Sequence, residues 1–240
     1  MRILITNDDS VSAAQLIPLI KWCRQYGDVT TVVPKFEQSG KSHGIELHKP
    51  YEIKSVTLAP GIDVYTVDST PADCVRYAVL GLGQEYDLVI SGINRGYNLG
   101  TDIMYSGTAS AAFEAANLGL KAVAVSTSFE YYPHAIAHLD MIAAFFREHR
   151  LLDKHTLYNV NIPPQPNAIR ITRQGGPYYS DDFEALGNDM YKPRGRCVYI
   201  NRNDLTLDTD ATRSGYITIT PLTLDRTHLA LFHALSDEIN

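Results

Sequence analysis

Cysteine is scarce: Cys23, Cys74 and Cys197 are the only three in 240 residues, odd in number, far apart and without CxxC spacing. A disulfide framework and a thiolate metal site are thereby excluded, and the three read as free thiols in a reducing compartment. No apolar run approaches the roughly 18 residues a membrane span needs, and the N-terminus opens on a strand pattern rather than a signal peptide, so a cytoplasmic protein off the membrane is expected. Positive charge is also short. With 21 Lys and Arg against 27 Asp and Glu, the net charge of −6 gives no electrostatic grip on a nucleic acid polymer. Internal repeats and low-complexity tracts are missing as well. What is there is ordinary for a packed globular chain: 45% hydrophobic, 20% charged and 10% aromatic, at a length that buries a large core. A small anionic ligand stays open, provided a cation, a helix N-terminus or aimed amides offset the acidic field locally.

Arg2 to Thr6 (RILIT) is an apolar run that stops at Asn7-Asp8-Asp9-Ser10, as a buried strand stops at a polar loop. Ser12 and Gln15 then form a capping box before Leu16, Leu19, Ile20 and Cys23 at helical spacing. Val29 to Val33 is β-branched and ends at Pro34, completing a βαβ unit. The rhythm returns with a helix over Pro71 to Leu82, a strand over Asp87 to Ile90, a small-residue helix over Thr108 to Leu118 and a strand over Ala122 to Val125. Strands this short and continuously apolar are buried on both faces, which implies an α/β fold with a parallel sheet between helices and ligands at the strands' carboxyl ends. One more amphipathic helix covers Pro133 to about Arg150. From Leu157 onward, alternating segments broken by Pro and Gly suggest β-hairpins projecting from the core. The expected division is an α/β core over 1–150 and a β-rich extension over 151–240, within one folding unit.

Three strand-end loops carry the chemistry. Asp8 and Asp9 repel each other, and a hard divalent cation with Asp, Asn and Ser oxygens keeps both ionised; taken alone, the pair reads as readily as caps of the next helix. The loop Glu37 to Gly44 (EQSGKSHG) emerges beside it with hydroxyl donors, or is a plain surface loop. The third, Ser91 to Asp102 followed by Tyr105-Ser106-Gly107-Thr108, is richer. Its glycines allow close backbone approach, and Ser106-Gly107-Thr108 opens a helix where free N–H groups, two hydroxyls and the dipole converge on a phosphate site. The alternative there is an Asn/Gly turn with an ordinary serine cap. No Walker lysine accompanies this cradle and no GxGxxG follows the first strand, so P-loop and dinucleotide readings lose support.

Together these segments resemble the SurE family of metal-dependent nucleotidases, the stationary-phase survival proteins. The resemblance rests on NDDS, QSGKS, Ser69-Thr70-Pro71-Ala72-Asp73-Cys74-Val75 and SGINRGYNLGTDIMYSGTASAAFEA. It continues through Tyr158-Asn159-Val160-Asn161-Ile162-Pro163, Thr172 to Gly175 and Gly215 to Leu222, so it spans nearly the whole chain. It implies a Rossmann-like, mostly parallel sheet flanked by helices, with a C-terminal hairpin extension and an exchanged tail. By position it implies one divalent metal per subunit, Mg²⁺ or Mn²⁺ with Ca²⁺ as a further bound ion, at Asp8, Asp9, Ser39 and Asn94. It places phosphate contacts at Asn98, Ser106, Gly107 and Thr108, and catalysis with Asp8, Asp9, Asn98, Ser106 and Thr108. The implied reaction is hydrolysis of nucleoside 5′-monophosphates, with 3′-monophosphates and short polyphosphate as further substrates, in a homodimer or homotetramer. Two positions depart from the family pattern: Ser10 stands where the family has glycine, and Tyr199 to Asn203 replaces an aromatic, glycine-ending run.

Two other readings compete, one enzymatic and one not. A phosphatase with an aspartyl-phosphate intermediate needs DxD spacing, and the carboxylates here are adjacent. A nucleotide or phosphate sensor would use the same cradle without turnover. Lys41 and His43 on the serine loop are candidates for reaching substrate. His134 and His138 have i, i+4 spacing without a third ligand, and the pairs Tyr131-Tyr132 and Tyr178-Tyr179 read as packing more readily than as base-stacking groups.

Overall fold

The computed structural model describes residues 1–239 and places the opening strand in the middle of the sheet. β1 (Arg2–Thr6) is followed by α1 (Leu16–Cys23), β2 (Asp28–Pro34), β3 (Ile53–Ala59), β4 (Ile62–Val67) and α2 (Pro71–Arg76). β5 (Leu88–Arg95), α3 (Gly107–Asn117), β6 (Ala122–Thr127), α4 (Leu139–Glu148) and α5 (Leu151–Lys154) come next. The chain ends with β7 (Leu157–Ile162), β8 (Ala168–Ile171), β9 (Tyr179–Gly187), β10 (Met190–Cys197), α6 (Asp208–Arg213), β11 (Tyr216–Pro221) and α7 (Leu229–Ile239). Nine strands form one sheet in the order β3-β4-β2-β1-β5-β6-β7-β11-β8, and β9 pairs with β10 separately. From β4 through β7 every neighbour pair is parallel.

The period of two explains the layers. Ile3 and Ile5 point to the side where Leu16, Leu19, Ile142 and Phe146 pack from α1 and α4. Leu4 and Val89 point to the other side, against Cys74 of α2 and Ala109, Ala112 and Phe113 of α3. Small residues let α3 lie close on the sheet, which holds its N-terminus level with the strands' carboxyl ends.

Several local expectations change. The Ser12/Gln15 capping box does not form: α1 starts at Leu16 without a side-chain cap, and the Ser12 N–H donates to Ser10 Oγ at 3.2 Å. The helix from Pro71 widens into a π turn over Tyr77–Gly81. The segment before α4 is a 3₁₀ turn, Tyr132–His138, with Pro133 in its first turn, where no intrahelical donor is needed. After residue 150 the hairpin reading holds only for β9 and β10, joined through Asn188 and Asp189, both at positive φ. β7, β8 and β11 extend the central sheet instead. Their alternating polar residues mimic a half-exposed strand, yet Asn159, Asn161, Thr218 and Thr220 are fully buried or nearly so, each with a polar partner on the same side of the sheet.

Candidate active site

β1 delivers Asp8 and Asp9 to the carboxyl edge of the sheet, and α3 meets them head on. Thr108 donates to Asp8 twice, from its N–H to Oδ2 at 3.1 Å and from its hydroxyl to Oδ1 at 2.5 Å. Gly107 lies so near that a Cβ there would stand 2.9 Å from Asp8 Cβ, so no larger residue fits. On the other flank, a slip in the β5–β6 register between Ser91 and Asn94 turns the chain over Asp9, whose Oδ2 accepts the Arg95 N–H at 2.9 Å. Asn94 is oriented by its own amide, which donates to the Gly96 carbonyl at 2.8 Å. The serine loop reaches the same place. Gln38 N–H donates to the Asp8 carbonyl at 2.8 Å, Ser42 bonds to the Met104 and Tyr105 carbonyls, and Ser39 donates to Glu37 Oε1 at 2.7 Å.

A cavity of about 460 Å³ opens beside this junction, a volume suited to a small organic phosphate. Asp8, Ser39, Asn94, Asn98 and Ser106 line it. The half-buried Asp9 is not among the lining residues, and Gly107 and Thr108 are buried and do not line it. Thr108, expected at phosphate, is seen here bonded to Asp8. Both its donors are spent on Asp8, and the Ala109 N–H is spent on Ser106 Oγ at 3.0 Å, so the helix N-terminus steadies a carboxylate first. Ser106 accepts that bond and keeps its hydroxyl proton for a ligand in the cavity.

Whether these residues suit a hard cation follows from their electrostatics. Burial raises the Asp8 pKa, and burial with the neighbouring carboxylates of Asp8 and Glu37 pushes Asp9 up to about 6, against the Arg95 N–H bond. Among the described residues neither carboxylate has a Lys, Arg or His ion-pair partner, and no cluster of three or more His, Cys, Asp or Glu is arranged for a metal. One buried and one half-buried carboxylate with no ion-pair partner among the described residues, beside the neutral oxygens of Ser39 and Asn94, fit an oxygen-seeking divalent ion and suit no thiolate-seeking one.

The remaining candidates separate clearly. His43 bonds Glu114 at 2.8 Å, and Arg76 bonds the other Glu114 oxygen at 3.1 Å, so His43 fastens the serine loop to α3. Neither Lys41 nor His43 lines the cavity. His138 is held by the Tyr131 hydroxyl, and Tyr132 is buried. Tyr178 is buried against Tyr199, whereas Tyr179 lines the cavity. Groups that sequence reading passed over include Phe129, under the Arg95 guanidinium at the rim, and Asp102, which accepts the N–H groups of Tyr178 and Tyr179 and ties the hairpin to the cavity wall. Asn159 and Asn161 were also missed as site residues. Their signal was visible: two amides alternating in an otherwise apolar central strand.

Ser10 has φ of 74°, so the serine sits where glycine is unstrained. Its hydroxyl, accepting the Ser12 N–H, offsets the cost of about 1 kcal/mol. Ser10→Gly should therefore change stability by less than about 1 kcal/mol in urea unfolding; a loss above about 2 kcal/mol would contradict that balance.

An open, mostly parallel α/β sheet with oxygen donors, a helix N-terminus and a polar cavity at its carboxyl edge defines a phosphate-handling α/β protein. The profile of the family described as "Survival protein SurE" matches residues 3–181. Full-length relatives agree: the 5′-nucleotidase SurE of Natranaerobius thermophilus is 36% identical, over 99% of this chain and 98% of that protein. That of Caldanaerobacter subterraneus subsp. tengcongensis is 38% identical, over 98% and 96%. The crystal structure of the Aquifex aeolicus SurE protein superposes with a TM-score of 0.76 at 29% identity, covering all of both chains. The chain belongs to the SurE family.

Proposed function

We propose that this protein is a divalent-metal-dependent 5′-nucleotidase that hydrolyses nucleoside 5′-monophosphates. The carrying observation is the adjacent pair Asp8 and Asp9 at the head of α3, with pKa values raised by burial and no ion-pair partner among the described residues, in a full-length relative of proteins named 5′-nucleotidase SurE. Asp8, Asp9, Ser39 and Asn94 would hold the ion, for which Mg²⁺ and Mn²⁺ suit the donors best. When bound, it supplies positive charge to a phosphoryl oxygen and acidifies water.

The chain's own groups do the rest. Ser106 and Asn98 line the cavity from adjoining sides and donate to phosphate oxygens as charge spreads in the transition state. Thr108 holds Asp8 by both oxygens, and Arg95 holds Asp9 by one, so the carboxylates arrive with fixed orientation. Tyr105, Phe129 and Tyr179 leave aromatic surface at the cavity wall for the nucleoside.

Assembly into a dimer or tetramer is part of the same proposal. α7 buries none of its side chains within the chain and exposes Leu229, Leu231, Phe232 and Leu235, while β9 and β10 expose Phe183, Leu186, Met190 and Tyr191. Such surface favours exchange with a second copy. A cytoplasmic setting is supported by three free cysteines, and no described helix is long and apolar enough to cross a membrane.

Phosphate release from a panel of nucleoside 5′- and 3′-monophosphates, with Mg²⁺, Mn²⁺ or Ca²⁺, tests the function. Metal-dependent release from 5′-monophosphates is expected. Tight AMP binding in calorimetry without any release would establish a sensor instead, and a trapped phospho-aspartate would establish the other phosphatase chemistry.

A further inference from the structure

Asn159 and Asn161 stand on one side of β7, and both are fully buried. A buried carboxamide is costly unless the protein meets its hydrogen bonds. The bonds they make within the protein converge on a single residue of the β5–α3 loop, although Asn159 Oδ1 has no partner among the described residues. Asn161 grips the backbone of Asn98 from two sides: its Oδ1 accepts the Asn98 N–H at 2.9 Å, and its Nδ2 donates to the Asn98 carbonyl at 2.9 Å. Asn159 Nδ2 donates to the same carbonyl at 2.8 Å. The Asn98 carboxamide in turn donates to Ser126 Oγ on β6 at 2.8 Å, and Ser126 is itself fully buried. Strand register sets Asn94 opposite Ser126 and Ser126 opposite Asn161. A polar row thus runs across β5, β6 and β7 beneath the cavity.

Side-chain amides here do for a loop what a neighbouring strand does for a sheet edge, satisfying N–H and C=O of one residue together. Irregular backbone is thereby fixed at a residue whose side chain lines the cavity. With one Nδ2 hydrogen committed to Ser126, Asn98 keeps the other for a ligand.

We infer that Asn161, supported by Asn159 and Ser126, is a positioning residue for Asn98, fixing the direction in which its carboxamide meets the phosphoryl group. The inference rests on Asn98 contacting phosphate, as proposed above. A donor held in place stabilises developing charge without reorganising, so releasing the clamp costs turnover more than substrate binding.

Steady-state AMP hydrolysis with saturating Mn²⁺, orthovanadate inhibition and thermal unfolding are measured for Asn98→Ala, Asn161→Ala, Ser126→Ala, Ser126→Thr and the Asn98→Ala/Asn161→Ala pair. We expect kcat to fall on the order of 100-fold in Asn98→Ala and Asn161→Ala, and about 10-fold in Ser126→Ala. KM should stay within about two-fold, vanadate inhibition should weaken in step with kcat, and Ser126→Thr, which keeps the acceptor, should restore turnover. The double variant should be no slower than Asn98→Ala, because Asn161 acts only through Asn98. Wild-type kcat in folded Asn161→Ala and Ser126→Ala, or losses that multiply in the double variant, would overturn the inference. If Asn161→Ala fails to fold, the Ser126 pair decides. Wild-type kcat in Asn98→Ala overturns it at its premise and is distinguishable by that variant alone.

Discussion

Asp9→Asn is expected to lower AMP turnover on the order of 100-fold or more with saturating Mg²⁺ or Mn²⁺, while making the metal-free protein more stable at pH 7. Asp9 offers one oxygen to the Arg95 N–H, and an asparagine Oδ1 keeps that bond. The other oxygen becomes an NH₂ group, which cannot bind a cation. What disappears is a partly buried charge beside Asp8 and Glu37 that no described basic side chain pairs with. The opposed signs separate this result from simple misfolding, since a damaged fold loses activity and stability together. Near-normal turnover in the variant would remove Asp9 from the site. Asp8→Asn is a poorer probe, because both Asp8 oxygens accept from Thr108 and an amide there would face a donor.

The same carboxylate sets a pH dependence whose sign is the reverse of an ion-paired acid. Its pKa is 3.8 in the unfolded chain and about 6 in the folded one, so between those values the folded state holds more protons. Its contribution is fully present below about pH 4 and is lost as pH rises through 6. The rise corresponds to about 3 kcal/mol, an upper bound because part of Asp9 meets solvent. Asp8 moves in the same direction. Other acids act oppositely: Glu114, lowered chiefly by its bond to His43, loses its contribution as pH falls. The clean readout is therefore the stability difference between Asp9→Asn and the natural protein without metal, from urea unfolding at several pH values. It should be smallest below pH 4, grow between about pH 4 and pH 6, and level off above about pH 6. Adding millimolar Mn²⁺ at pH 7.5 should raise the melting temperature of the natural protein by several degrees, with a smaller rise at pH 5, because protons and the cation compete for the same oxygens. An equal rise at both pH values, or an equal rise in Asp9→Asn, would contradict the assignment.

The sequence showed different parts of this protein with different clarity. β1, β5 and β6 announce themselves because strands buried on both faces carry continuous apolar runs, β2 does so by its β-branched residues ending at Pro34, and the polar residues that end the apolar runs have nowhere else to be than the sheet edge. The extension was less legible. LYNVNI and YITITP alternate as an exposed hairpin would, and only the buried partners of Asn159, Asn161, Thr218 and Thr220 reveal two core strands. Spacing also could not say that Thr108 serves Asp8, since an N-terminal hydroxyl suits a carboxylate as well as a phosphate.

By itself the sequence determined the class: an acidic chain with few cysteines, strand-end loops rich in Asp, Asn, Ser and Gly, and motifs that carry the family. Local pattern suffices there, because periodicity and turn chemistry act within a few residues. Only the tertiary structure decided which donors meet: that Thr108 is spent on Asp8, that His43 is spent on Glu114, and that two asparagines more than 60 positions from Asn98 hold its backbone. Hydrogen bonds are satisfied in space rather than along the chain, and the burial that makes each bond matter exists only once the sheet has closed around it.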